Sequence, residues 1–187
     1  MSQQFDEIFD VLVIGSGCGG LTAALTADIA NPSKVLVVEK SHLIGGTSAT
    51  SGGVIWIPDN HLGKEKGAND SISEAKEYLR ATIPADEFNE PLIDTYLDQG
   101  PKMVKFMEDN TDARYTSLEH YPDYFQDAPG VKLGNRAMEP LPVSADTLGD
   151  DVDNLHPSGP QTIVFGRYAV NFEESHAFTT QSPGWFR

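Results

Sequence analysis

Two apolar runs near the N-terminus flank a stretch of small residues at helical spacing. Asp10-Val11-Leu12-Val13-Ile14 is rich in β-branched side chains and stops at Gly15, the pattern of a strand buried on both faces of a parallel sheet. Leu21, Ala24, Leu25, Asp28 and Ile29 follow the spacing of one helix until Asn31-Pro32 ends it. Lys34-Val35-Leu36-Val37-Val38-Glu39 predicts a second buried strand. These residues therefore read as one βαβ unit with a right-handed crossover.

Beyond it, residues 45–53 are almost entirely Gly, Ser and Thr and cannot build a core alone, so they and the apolar run Val54-Ile55-Trp56-Ile57-Pro58 must lie against something else. Ser71-Ile72-Ser73-Glu74 has the form of a capping box, opening a helix through Leu79. Two further helices are expected over residues 91–98 and 101–108, each with Pro in its first turn, and Met103, Val104, Phe106 and Met107 are core candidates of the second. Residues 140–160 hold four aspartates, several Pro and Gly, and no Lys or Arg, which predicts a linker. The tail has a strand-like start over 162–165 and a weak helical pattern over 173–178. The expected organisation is a βαβ core over 1–60, a helical segment with a Tyr-containing loop over 61–139, and a linker and tail over 140–187.

Composition narrows the function classes. The 187 residues carry 28 acidic and 13 basic side chains, a formal net charge of −15, which argues against nucleic-acid binding because phosphates demand Lys and Arg. The N-terminus has acidic groups at Asp6, Glu7 and Asp10 and no basic n-region, so no secretory signal is expected. Residues 11–30 are interrupted by Gly15, Gly17, Gly19, Gly20 and Asp28, too polar for a membrane span. One cysteine, Cys18, excludes an internal disulfide and fits a cytoplasmic setting. No metal-ligand spacing stands out. By length alone the chain suffices for a single domain.

Gly15-Ser16-Gly17-Cys18-Gly19-Gly20 satisfies G-x-G-x-x-G, and its context is the one a dinucleotide site requires: a strand before, a helix after, and Glu39 ending the next strand 19 positions on. Gly15 permits the tight turn, Gly17 lets backbone approach a pyrophosphate, and Gly20 lets helix and strand pack closely. The helix N-terminus attracts the phosphate charge, and Glu39, followed by Lys40, accepts from ribose hydroxyls. The alternative is a glycine-rich turn in an ordinary α/β protein. For Cys18 the readings are a small loop filler or a redox group, and there is no second cysteine to partner it.

The string Gly45-Gly46-Thr47-Ser48-Ala49-Thr50-Ser51-Gly52-Gly53-Val54-Ile55-Trp56-Ile57-Pro58 resembles the second FAD-binding segment of the fumarate reductase/succinate dehydrogenase flavoprotein superfamily, most closely its 3-ketosteroid 1-dehydrogenase branch. The resemblance implies FAD, with Gly46, Thr47, Ser48, Ser51, Gly52 and Gly53 along the cofactor. Succinate dehydrogenases carry a covalently flavinylated histidine where Gly46 stands, so the FAD is expected to be non-covalent; His42 reads as a surface residue. His120-Tyr121-Pro122-Asp123-Tyr124-Phe125 is similar to the Pro-Asp-Tyr-Tyr element of the same branch and implies that Tyr124 is an active-site residue, whereas Phe125 lacks the second hydroxyl. Tyr121 and Tyr124 as packing aromatics is the other reading. Phe165-Gly166-Arg167 and Ser182-Pro183-Gly184-Trp185 extend the likeness, which covers only the first part of the family's length.

The expected fold class is α/β: an incomplete Rossmann-like FAD-binding domain of the glutathione-reductase type, with a parallel sheet plus helical and loop segments. The expected function is α,β-dehydrogenation of a ketone such as a 3-ketosteroid or cyclohexanone, as one subunit of a complex whose other subunits complete the FAD domain and the substrate domain. A non-catalytic FAD-binding scaffold and a fumarate-reductase-like double-bond reductase are the alternatives.

Overall fold

The computed structural model describes residues 7–31, 34–160, 163–164 and 168–181, arranged in two units. The first unit comprises Met1–Gly52 and Val143–Val170. Strand β1 (Val11–Ile14) pairs in parallel with β2 (Val35–Val38), with Val11 opposite Val35 and Ile14 opposite Val38. Helix α1 (Cys18–Ala30) makes the crossover and packs on both strands, burying Ala24. A parallel pair needs such a crossover, and the small side chains of α1 bring it close to the sheet.

The strands depart from the expectation of burial on both faces. Leu12 is 58% and Ile14 82% exposed. Among the described residues no third strand pairs with β1 or β2, so both edges of the sheet are unpaired, and the face that carries Leu12 and Ile14 is exposed. The Gly/Ser/Thr stretch forms a short helix, α2 (Gly46–Thr50). Residues 143–170 return to the same unit: a 3₁₀ segment (Ala145–Asn154) bends at Gly149, and the Ile44 N–H donates to the Asn154 carbonyl at 2.8 Å. The predicted linker is thus partly ordered. The strand expected over 162–165 is present as β6 (Ile163–Val164), paired antiparallel with β7 (Tyr168–Ala169); Thr162, Phe165, Gly166, Arg167 and the Ser182–Trp185 motif lie outside the described residues.

The second unit comprises Gly53–Pro142 and Asn171–Arg187. Its centre is an antiparallel sheet in the order β3 (Ile55–Trp56), β5 (Ala137–Pro140), β4 (Tyr115–Ser117). Helices α3 (His61–Glu65), α4 (Ile72–Thr82), α5 (Glu90–Asn110) and α6 (Phe172–Thr180) complete it. Ile57, Val104 and Met138 form the buried core, with Ile55, Leu62, Met103 and Tyr115 against it. The Ser71 side chain caps α4 as predicted by accepting from the Glu74 N–H, but the Ser71 N–H turns to Asp70, so the box is half made.

Two helices were expected across 91–108, and the structure has one, with Pro101 inside it. Pro101 removes one helical hydrogen bond and should break the run. The buried positions Leu97, Gly100, Val104 and Met107 nevertheless continue one face through it. Burial of that uninterrupted stripe outweighs the local cost of the proline. Phe106, expected in the core, is only partly buried.

Candidate functional site

In the first unit the fingerprint loop is tied to both segments that follow it. Gly15 has φ +98°, a left-handed conformation suited to glycine, and its N–H donates to the Val38 carbonyl at 2.7 Å. Ser16 is 2% exposed and central to the loop. Its N–H and hydroxyl donate to Glu39 Oε2 at 2.9 and 2.7 Å, and its Oγ accepts from the Gly45 N–H at 3.0 Å. The hydroxyl and backbone of Ser16, joined by the Ser41 N–H, hold the Glu39 carboxyl at about 2. Glu39 therefore stays ionised at any physiological pH. Lys40 beside it is exposed.

Helix α1 begins at Gly17 with no side-chain cap, so its positive end is open to an anion. The Cys18 N–H reaches Ser48 Oγ at 3.1 Å, joining the fingerprint to α2, and the Cys18 side chain is free and exposed. A Cβ on Gly20 would sit 2.1 Å from the Gly15 carbonyl oxygen, whereas one on Gly19, Gly46 or Gly52 would meet nothing within 4 Å. Gly20 thus closes helix onto loop, and the others border open space. Thr47 and Ser51 are exposed, while Gly53 opens the second unit. The arrangement fits an extended phosphate-bearing cofactor: an uncapped helix start, a rigid loop, and an acid fixed at the end of β2.

Tyr124 belongs to the second unit, where it is 82% exposed, so it is not a packing aromatic of that unit. It stands at a cavity of about 280 Å³ lined chiefly by Val54, Trp56, Tyr78, Tyr121, Asp123 and itself. The Tyr121 and Tyr124 hydroxyls are 3.5 Å apart, and Tyr121 meets Phe172 of α6 edge-on at 4.8 Å. The neighbouring Tyr124 hydroxyl, and to a lesser extent burial, push Tyr121 above the ordinary tyrosine range. Tyr121 is therefore a neutral hydrogen-bonding phenol at physiological pH.

Beneath the cavity lies a network with no local mark in the sequence. Arg136, 1% exposed, donates from Nε and Nη2 to both Asp70 oxygens at 3.0 and 2.8 Å, and from Nη1 to Asp123 Oδ2 at 2.8 Å. Its guanidinium lies near the Trp56 and Tyr78 rings, 5.5 and 5.8 Å from their centroids. Burial raises the Asp70 carboxyl, but hydrogen bonds from Arg136 and the Asp59 N–H outweigh it and leave the group below its usual value. Trp56 was notable in the sequence only for its Trp-x-Pro setting and Asp123 only for its place before Tyr124; Tyr78, Asp70 and Arg136 carried no signal.

A family model described as an FAD binding domain matches residues 10–162. The chain belongs to this FAD-binding family. FAD is accordingly its cofactor, and the mixed helix–strand fold with a parallel sheet agrees. Within the family, the chain is 41% identical over 172 residues to 4-oxocyclohexanecarboxylate 2-dehydrogenase of Sinomonas cyclohexanicum, covering 91% of this chain and 29% of that protein. It is 43% identical over 149 residues to 3-oxosteroid 1-dehydrogenase of Mycolicibacterium smegmatis, covering 80% and 26%. The crystal structure of 3-ketosteroid Δ1-dehydrogenase from Sterolibacterium denitrificans, in complex with 1,4-androstadiene-3,17-dione, matches with a TM-score of 0.86 at 40% identity, over 95% of this chain and 31% of that one. The chain thus spans less than a third of the length of these relatives. Among its described residues no helix is long and apolar enough to cross a membrane.

Proposed function

We propose that the chain is the FAD-binding part of a flavoprotein that dehydrogenates a cyclic ketone to its α,β-enone. The observation that carries this reading is the exposed Tyr124 phenol, paired with Tyr121 at an apolar cavity, in a chain that also holds an FAD fingerprint. Its relatives named as ketone and ketosteroid dehydrogenases support it. Residues 15–20 would hold the pyrophosphate and Glu39 the adenosine ribose. The 46–53 segment would line the remainder of the cofactor non-covalently, since Gly46 offers no side chain to attach.

When bound, FAD supplies the two-electron acceptor for the hydrogen lost from the β carbon. Val54 and Trp56 give the cavity an apolar wall against which a hydrocarbon ring can lie. Tyr121 keeps its proton at neutral pH and steadies the Tyr124 oxygen, and Tyr124 supports the base that removes the α proton. The remainder of the flavoprotein, partner subunits in a cytoplasmic complex, supplies the base and the donors that stabilise the enolate. Turnover of the purified holoprotein with a ketone and an oxidised dye should exceed turnover with an enone and a reduced dye. The opposite ratio would replace this reading with a double-bond reductase.

A further inference from the structure

Tyr124 combines a nearly free side chain with a backbone fixed on both sides. On the N-terminal side, the Asp123 carboxylate is 4% exposed and accepts three hydrogen bonds, from Trp56 Nε1 at 2.7 Å, Arg136 Nη1 at 2.8 Å and the Lys132 N–H at 2.9 Å. The Asp123 N–H donates to the Lys132 carbonyl at 2.9 Å. On the C-terminal side, the Phe125 N–H donates to the Tyr78 hydroxyl oxygen at 3.1 Å. Tyr78 is itself 6% exposed, with its ring 6.0 Å from that of Trp56. A loop that served only to connect elements would not need its flanking residues anchored to a buried arginine, a tryptophan and a tyrosine. Anchoring the backbone on both sides removes the main-chain freedom of the phenol before any ligand arrives, leaving only rotation about its side-chain bonds, and this is part of what an aligned reacting group requires.

We infer that Trp56 and Tyr78 are positioning residues that clamp the residues on either side of Tyr124 and so aim its hydroxyl into the cavity. The inference rests on the proposed role of Tyr124. It assigns to Trp56, three residues beyond Gly53, the task of registering the Tyr124 loop on β3 through Asp123.

The test is a pair of double-mutant cycles on the holoprotein. Trp56→Phe and Tyr78→Phe each keep a ring in the cavity wall and remove only one clamp hydrogen bond. Each should lower kcat about tenfold with little change in KM, less than the roughly hundredfold that a misplacement of about 1 Å carries. Each effect should vanish in a Tyr124→Phe background, because the clamp then has nothing to aim. 3-Fluorotyrosine at position 124 gives a readout independent of turnover: one sharp fluorine resonance in the wild type, broadened or doubled in either variant. If Tyr124→Phe lowers kcat while the two clamp variants are silent or combine with it multiplicatively, or if the resonance is unchanged in both, the clamp is refuted and the role of Tyr124 stands. If Tyr124→Phe leaves kcat unchanged, the role of Tyr124 fails and the clamp with it.

Discussion

Adding one methyl group at Gly20 is the sharpest perturbation of the cofactor loop. Its Cβ would lie 2.1 Å from the Gly15 carbonyl oxygen and 3.4 Å from Val13 Cγ1. Ordinary contact begins near 3.4 Å, so the carbonyl or the start of α1 must retreat by about 1.3 Å. The clash is with the Gly15 carbonyl oxygen and its carbon, the latter at 3.1 Å, both in backbone that the Gly15–Val38 hydrogen bond holds, so no flexible side chain can absorb the strain. Overpacking of this kind costs about 1–3 kcal/mol. The same shift strains the hold of Ser16 on Glu39, and FAD affinity should fall at least about tenfold for each 1.4 kcal/mol of distortion expressed in binding. Gly19→Ala is the contrast: its Cβ meets nothing within 4 Å, so the fold should keep its Tm while the added methyl intrudes on the open space beside the helix start. Thermal unfolding and FAD titration of both variants check the argument. A Gly20→Ala protein with wild-type Tm and wild-type FAD affinity would refute it.

Arg136→Leu should cost about 3–5 kcal/mol in denaturant unfolding, because it leaves the Asp70 and Asp123 carboxylates without their cation in a buried setting; a loss below about 1 kcal/mol would show that the network is not buried in solution. Glu39→Gln should weaken FAD binding and raise its off-rate, measured by flavin fluorescence on dilution. Glu39 has a depressed folded-state pKa, so its hold on Ser16 is complete above its ordinary value of 4.5 and is lost as pH falls towards about 2. Acid-induced FAD release in that window should be shallower in the Gln variant than in the wild type, and identical release curves would dissociate Glu39 from the loop.

The parts of this protein legible in its sequence are those set by neighbours along the chain. The β1–α1–β2 unit follows from a β-branched run, small residues at helical spacing and glycines at fixed offsets, and each of those signals acts over a few residues. The two helices expected across 91–108 failed because proline is a local breaker, while the stripe from Leu97 to Met107 that overrides it is a tertiary effect. The β3–β5–β4 sheet has no alternating pattern to announce it: Ala137, Met138 and Glu139 are all buried in succession. Arg136 reads as one more surface charge until Asp70, 66 residues earlier, is seen against it. Tyr124 stood out by resemblance alone, and its environment, with Tyr78 and Trp56 on either side, needed three-dimensional structure.

If this chain helps to oxidise a ketone through FAD with Tyr124 at the site, the flavin must take up the electrons that leave the ketone. Anaerobic mixing of the holoprotein with a cyclic ketone, monitored in the visible flavin band and by product analysis, tests it most directly. The flavin should bleach in step with one equivalent of enone, about a hundredfold or more slowly in Tyr124→Phe. A flavin that stays oxidised in the presence of both a 3-oxosteroid and a 4-oxocyclohexane carboxylate, or one that bleaches equally fast without the Tyr124 hydroxyl, would contradict it.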